Sequence, residues 1–469
     1  MSKSKLLLVL GSIAVTIVLL FCIIFISLQQ PAIYGNTLAK ISHNYERVSS
    51  ENGFSILWTK KPYVQITEQN SYHWDGKLYR ILRDSLYANT DHFAKERLAY
   101  YPMFPLIWKI TLIDSTLIFI FNYLLFVSGL LILAFLLMER NTTTLLTFSV
   151  ALLLPSAIVY YLPYAESLFL FTFALAVAGL MKKKYWLFFI SAFAFSMIRP
   201  ASQIFFFALI AADFRYFFQH RQVVFFFREL IKKILPLGLG IFTVVLMQRA
   251  ASGSWNAYFE ADSLWVTRRG FFNPISDWSY EGFGMTVFAI LFLAIPCVIY
   301  SVSWGLKTFT KNESIPTSLF SGNELWIKAY LFNTAVLFIA GNLLYTFLHS
   351  GNEVNGFYRY TMSVPSFYVI LFLIGKRIET LSLKTKLLAF FSCIVGMIIF
   401  FSLVYYGESR FRFSYSGLYL SICFLLFLII EPHVSTKNKI VLLLALLLPA
   451  LIWHSYLFNM YLCNGWIYT

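Results

Sequence analysis

The sequence predicts an all-α, polytopic membrane protein, and three observations carry that prediction. Of its 469 residues, 59% are apolar and only 13% are charged, where a soluble domain carries about 25% charged residues. Apolar runs close to the roughly 20 residues needed to cross a bilayer recur along most of the chain. Lys and Arg gather in short clusters between those runs, as in loops on one side of a membrane. The 50 Phe and 29 Tyr suit lipid-facing surfaces and interfacial belts.

The runs, in order, place candidate spans at 6–28, 115–138, 143–161, 165–181, 185–199, 201–218, 234–252, 285–304, 326–348, 363–375, 387–406, 416–430 and 440–459, about thirteen in all. The first follows Met1-Ser2-Lys3-Ser4-Lys5. It is too long for the apolar core of a signal peptide and no small-residue cleavage site follows, so it reads as a retained anchor. The runs 185–199 and 201–218 are short and parted only by Arg199-Pro200, which fits one broken hairpin. The run 363–375 is short as well.

With the N-terminus in the cytoplasm, Lys182-Lys183-Lys184, Arg215 to Lys233, Lys307 and Lys311, Lys376-Arg377 with Lys384 and Lys386, and Lys437 with Lys439 all fall on the cytoplasmic side. The long polar segment 29–114 then lies outside. The whole of 1–469 reads as a single integral-membrane domain, its chemistry supplied by loops and helix ends. The net charge of +15 reflects cytoplasmic loops and excludes a nucleic-acid role. Four of the five cysteines sit inside apolar runs. No CxxC or His/Cys spacing marks a metal site or a disulfide framework.

Segment 29–114 holds the densest chemistry. His73-Trp74-Asp75-Gly76 precedes Leu78, Ile81, Leu82 and Leu86 at helical spacing, predicting an amphipathic helix over 76–89 along the membrane surface. Asp75 at its start is a candidate N-cap, a candidate general base, or both. Glu96 leads into Tyr100-Tyr101-Pro102-Met103-Phe104-Pro105, a rigid re-entry into the bilayer. Further on, Glu166 stands in a very short external turn at the mouth of the bilayer, where an ionisable group faces a cavity or a partner. Arg199, at the outer end of another span, is a candidate partner or phosphate contact.

Together these elements resemble the GPI mannosyltransferase 2 (PIG-V) family and its bacterial relatives. The family's Trp-Asp followed by an aromatic is matched by Trp74-Asp75 and Tyr79. Its Glu before a Phe-Phe-Pro-Leu-Phe-Pro-like run is matched by Glu96 and Tyr100 to Pro105, and its Tyr-Ser-Glu-Ser-Leu-Phe-like element by Tyr164-Ala165-Glu166-Ser167-Leu168-Phe169. A later Arg with Pro-x-Phe-Tyr corresponds to Arg359 and Pro365-Ser366-Phe367-Tyr368. The family's Arg-Ser-Asn-Gly-like element is Arg199-Pro200-Ala201-Ser202 here, which keeps only the Arg.

The resemblance implies a GT-C glycosyltransferase that moves a sugar, mannose in the eukaryotic family, from a polyprenyl-phosphate donor to a lipid or glycan acceptor on the extracytoplasmic face. Asp75 would be its base, Arg199 and Arg359 would hold the phosphate with Arg268 and Arg269 as weaker candidates, and Trp74, Glu96, Glu166 and Tyr358 would line the substrate site. Glu96 or Glu166 would also be the ligands of any divalent metal; no Asp-x-Asp occurs, and Glu260-Ala261-Asp262 is the nearest acidic pair. Two other functions fit a chain of this type. A lipid-linked glycan polymerase or ligase would place its large external loop late, and a transporter or flippase of lipid-linked sugars would show two similar halves; neither sign is present. Short loops and heavy Lys, Ile and Phe usage favour a bacterial plasma membrane over the endoplasmic reticulum.

Overall fold

A computed structural model describes residues 14–24, 49–50, 53–54, 66–88, 95–138, 142–220, 223–264, 289–310, 324–349, 357–379, 381–399, 428, 431 and 433–462. The described residues are helical throughout, apart from a two-residue antiparallel ladder pairing Ser49–Ser50 with Gly53–Phe54. The helices are α1 (Ala14–Ile24), α2 (Asp75–Ser85), α3 (Met103–Thr111), α4 (Ile118–Leu137), α5 (Thr142–Leu153), α6 (Glu166–Met181), α7 (Tyr185–Ser196), α8 (Ala201–His220), α9 (Val223–Ser252), α10 (Ala257–Asp262), α11 (Ile295–Thr310), α12 (Glu324–His349), α13 (Phe357–Thr361), α14 (Pro365–Glu379), α15 (Leu383–Ile399) and α16 (Thr436–Leu462).

Four of these are long and apolar enough to cross a membrane: Ile118–Leu137, Phe226–Ser252, Glu324–Leu348 and Thr436–Asn459. The rest of the expected thirteen spans are shorter helices or lie wholly or largely outside the described residues, as does 416–430 apart from residue 428. The expected span 143–161 is not one helix. Pro155, which has no amide proton, ends α5, and Pro155–Tyr160 continues as a 3₁₀ turn. Neighbouring side chains add bonds to carbonyls at the break, where Leu154 O also accepts from Ala157 N–H (2.8 Å). His454 of α16 bonds Leu154 O through Nε2 (3.0 Å), and Ser363 Oγ donates to Ser156 O (3.0 Å). Because a carbonyl only accepts, that contact assigns the proton to Nε2 and leaves Nδ1, 3.1 Å from Tyr161 Oη, as acceptor. A broken helix persists within an apolar bundle only with such partners.

Close helix packing needs small residues at the crossing points. A Cβ on Gly240 of α9 would lie 1.9 Å from Ser196 Oγ of α7, so only glycine permits that approach. The core is aromatic: Phe126 stacks on Tyr160 with ring centroids 4.3 Å apart, and Phe169 stacks on Phe195 at 4.1 Å.

Side-chain contacts gather the start of α6, the turn at Arg199 before α8, and α13 at one place, and the end of α16 meets the residue His73 just before α2. A separate group of contacts joins buried lysines to carboxylates. There Lys233 pairs with Asp213 at 2.5 Å, and Lys386 pairs with Glu431 at 2.6 Å, all four side chains buried. Tyr330 of α12 also donates to Asp213 (3.1 Å), tying α8, α9 and α12 together.

Candidate functional site

Helix α2 begins at Asp75, one residue earlier than the periodicity predicts, and ends at Ser85. Its buried face is Gly76, Leu78, Tyr79 and Leu82, which packs towards α3. Arg97, fully buried, fixes the other end: it donates to Ser85 Oγ (2.8 Å) and to the carbonyls of Leu86 (3.3 Å) and Ala88 (2.7 Å). The start of α2 is seated just as firmly. A Cβ on Gly76 would stand 2.7 Å from Pro163 Cγ and 3.0 Å from Tyr461 Oη, so this position must be glycine for the turn to reach its neighbours. His73 N–H donates to Tyr461 Oη at 2.7 Å. Trp74 takes φ 51° and ψ −127°, a conformation that costs a non-glycine residue on the order of 1–3 kcal/mol and that collects at functional sites.

This seating aims the Asp75 carboxylate inward. The N-cap reading is corrected: the N-cap position is Trp74, and Asp75 is the first residue of the helix itself. Its Oδ1 accepts from Tyr100 Oη at 2.8 Å, and its Oδ2 accepts from Arg359 Nη1 at 2.6 Å. Arg359 Nε also pairs with Glu166 Oε1, and Arg199 Nη1 lies 2.8 Å from that same oxygen. Two carboxylates and two guanidiniums, drawn from four separate elements, form one chain: Asp75, Arg359, Glu166, Arg199. Asp75 and Glu166 each open a helix, where the macrodipole favours a negative charge. Arg359 also lies over the ring of Tyr164, 4.8 Å from its centroid.

Burial grades along this chain. Side-chain exposure is 0% for Glu166, 7% for Arg199, 8% for Arg359 and 25% for Asp75. Asp75 is thus the member that solvent reaches. Burial, with the Asp75 charge next, holds the Tyr100 hydroxyl well above the usual phenol range. Tyr100 therefore keeps its proton and serves Asp75 as a donor. Tyr79 stands edge-on to Tyr100 at 5.2 Å and fixes its ring.

No family model, curated protein or solved structure matches the chain. Its chemistry must be read from its own residues.

The structure thus joins Asp75, Glu166, Arg199 and Arg359, all four of them candidates from the sequence. Trp74, 36% exposed, sits beside Asp75. Tyr358 is fully buried behind Arg359 on α13, so it shapes the wall rather than offering an open surface. Glu96 lies in the 3₁₀ turn Glu96–Ala99 and takes no part in the ion-pair chain; its buried Oε2 has no hydrogen-bond partner among the described residues. Arg268 and Arg269 lie outside the described residues. Glu260 accepts from Ser254 Oγ (2.7 Å), a loop-stabilising role.

The residues present do not fit a divalent ion at Glu166, because that carboxylate already faces two guanidiniums. Among the described residues no three His, Cys, Asp or Glu side chains converge as metal ligands would.

Three contributors escape the sequence. Tyr100 sits in an aromatic run whose evident purpose is bilayer re-entry. Arg97 adjoins the more conspicuous Glu96. Tyr461 lies 388 residues from its partner His73, and nothing local to either announces the contact.

Proposed function

We propose that this chain is a membrane-embedded glycosyltransferase that moves a hexose, mannose by its resemblance, from a polyprenyl-phosphate donor onto the hydroxyl of a lipid or glycan acceptor at the extracytoplasmic face, in a bacterial plasma membrane. The observation that supports it is the Asp75–Arg359–Glu166–Arg199 chain. It sets one partly open carboxylate beside two guanidiniums that a third, buried carboxylate holds in place.

In this reading the acceptor hydroxyl gives its proton to Asp75 as its oxygen attacks the anomeric carbon. The new C–O bond forms while the bond from that carbon to the phosphate oxygen breaks, and its electron pair leaves with the lipid phosphate. Arg359 and Arg199 face the charge that develops there. Glu166, fully buried, touches no reacting atom and acts by fixing both arginines. Tyr100 orients Asp75.

Replacing Asp75 by Asn keeps the size of the side chain and removes the base. Transfer of radiolabelled mannose or glucose from polyprenyl phosphate should fall by about 10²–10⁴-fold, the usual worth of a general base, with the purified protein still folded. Turnover at the native rate would overturn the assignment.

A further inference from the structure

Both oxygens of Asp75 are occupied: Oδ1 by Tyr100 and Oδ2 by Arg359. Only the second partner carries a charge, and it covers an oxygen that would take the acceptor's proton. Arg359 also reaches a second carboxylate, Glu166, through a different nitrogen. Glu166 in turn holds Arg199 independently. Arg359 can therefore let go of Asp75 by turning its Nη1 edge while its Nε stays anchored. Glu166 is not left bare by that motion, and Asp75 keeps the Tyr100 bond.

The most exposed member of the chain is Asp75, so an anion that enters the site meets the Asp75–Arg359 contact first. A lipid phosphate ester, monoester or diester, offers at least two unbridged oxygens, the geometry a guanidinium fork prefers. The charge balance of the proposed reaction points the same way. As the acceptor's proton reaches Asp75, a negative charge disappears there. One appears on the phosphate as the anomeric C–O bond breaks. One guanidinium able to face both groups follows that charge from one to the other.

Resting on the transferase reading above, we propose that Arg359 is an exchange residue: in the empty site it covers Asp75, and the phosphate of the polyprenyl donor draws it away and so uncovers the base. Donor then binds before acceptor is activated, and Asp75 stays covered whenever the donor is absent. Arg359 is by this account a positioning residue for Asp75 and a binding residue for the phosphate.

The test is modification of the Asp75 carboxyl in the full-length purified protein by a water-soluble carbodiimide with glycine ethyl ester, read by mass spectrometry of its peptide. Polyprenyl monophosphate should raise the rate about tenfold, the change that about 1.4 kcal/mol of released ion pairing produces. Inorganic phosphate and phosphatidylglycerol should not, which separates the lipid donor from a free anion and from bulk headgroups. Arg359→Gln should show the raised rate without ligand and no further rise with it; Arg359→Met, of similar length and uncharged, serves if the first variant fails to fold. An unchanged or lowered rate in the native protein with polyprenyl monophosphate would overturn the exchange, as would an equal rise with inorganic phosphate. Sugar transfer by the native protein, assayed in parallel, tests the underlying reading alone: transfer without the rise rejects the exchange and keeps the enzyme.

Discussion

Tyr100 and Arg359 share Asp75, yet the two contacts differ in kind. The phenol is buried, holds its proton and stays neutral, so its bond to Asp75 aims the carboxylate without competing for charge. A hydrogen bond to a charged group is worth about 1.5–3 kcal/mol. Tyr100→Phe keeps the ring against Tyr79 and should lower the transfer rate about tenfold or more, with a loss of stability on the order of the 1.5–3 kcal/mol that the bond contributes. Equal kinetics for variant and native protein would reduce Tyr100 to packing. His73 supplies a pH dependence. Burial pushes its imidazole below the ordinary 6.5, and its Nε2 has no partner among the described residues. The unfolded chain therefore takes up a proton that the folded one refuses. The stability it contributes is complete above pH 6.5 and is lost as pH falls below that value. Melting temperature should drop between roughly pH 7 and 5 in the native protein and less so in His73→Asn; parallel curves would discard the idea. The charged members of the site were legible because ionisable side chains stand out in an apolar sequence. Their pairing was not, since nothing in the spacing of Asp75, Glu166, Arg199 and Arg359 says which oxygen meets which nitrogen.

At the scale of elements, the break between α5 and the 3₁₀ turn decides how the Glu166 turn is presented. The turn Tyr161-Leu162-Pro163 follows directly from it, and Asn122 of α4 braces it by donating to the Tyr164 carbonyl at 3.1 Å. Pro163 is also the atom set against which Gly76 packs. His454 stabilises that break from α16, so His454→Ala should cost about 0.5–1.5 kcal/mol, the net worth of the lost hydrogen bond, since the Leu154 carbonyl still accepts from Ala157 N–H. Thermal unfolding in detergent would show the loss, and a melting temperature equal to the native one would refute it. The signal for the break, Pro155, was present in the sequence, but the apolar run continues across it and hydropathy alone reads it as one span. The same bias explains the expected helix over 76–89: hydrophobic spacing persists through Leu86, whereas the backbone stops at Ser85 and Leu86 adopts φ 51°. Composition reports what is apolar; it does not report where hydrogen bonding is interrupted.

Across the whole molecule, the charge pattern of the sequence expects the lysine clusters on one side of the membrane and the Asp75 segment on the other. Lys182, Lys183 and Lys184 of one such cluster are exposed, as is Lys77 beside Asp75. If the lysine-rich ends face the cytoplasm, a membrane-impermeant maleimide should label Lys77→Cys in intact cells and Lys183→Cys only after permeabilisation. The reverse pattern would turn the site inward and remove the proposed donor from reach. Helical class and apolar character were readable because each is a property of runs of residues. The thirteen expected spans rest on hydropathy alone: four described helices are long and apolar enough to cross, and helices that lean on one another in a bundle need not each reach that length. One consequence of the His73–Tyr461 contact concerns synthesis. The turn that bears Asp75 emerges from the ribosome early, yet the hydroxyl on which it rests arrives 388 residues later. The start of α2 thus gains this support only once the final described helix has docked, a late step in assembly.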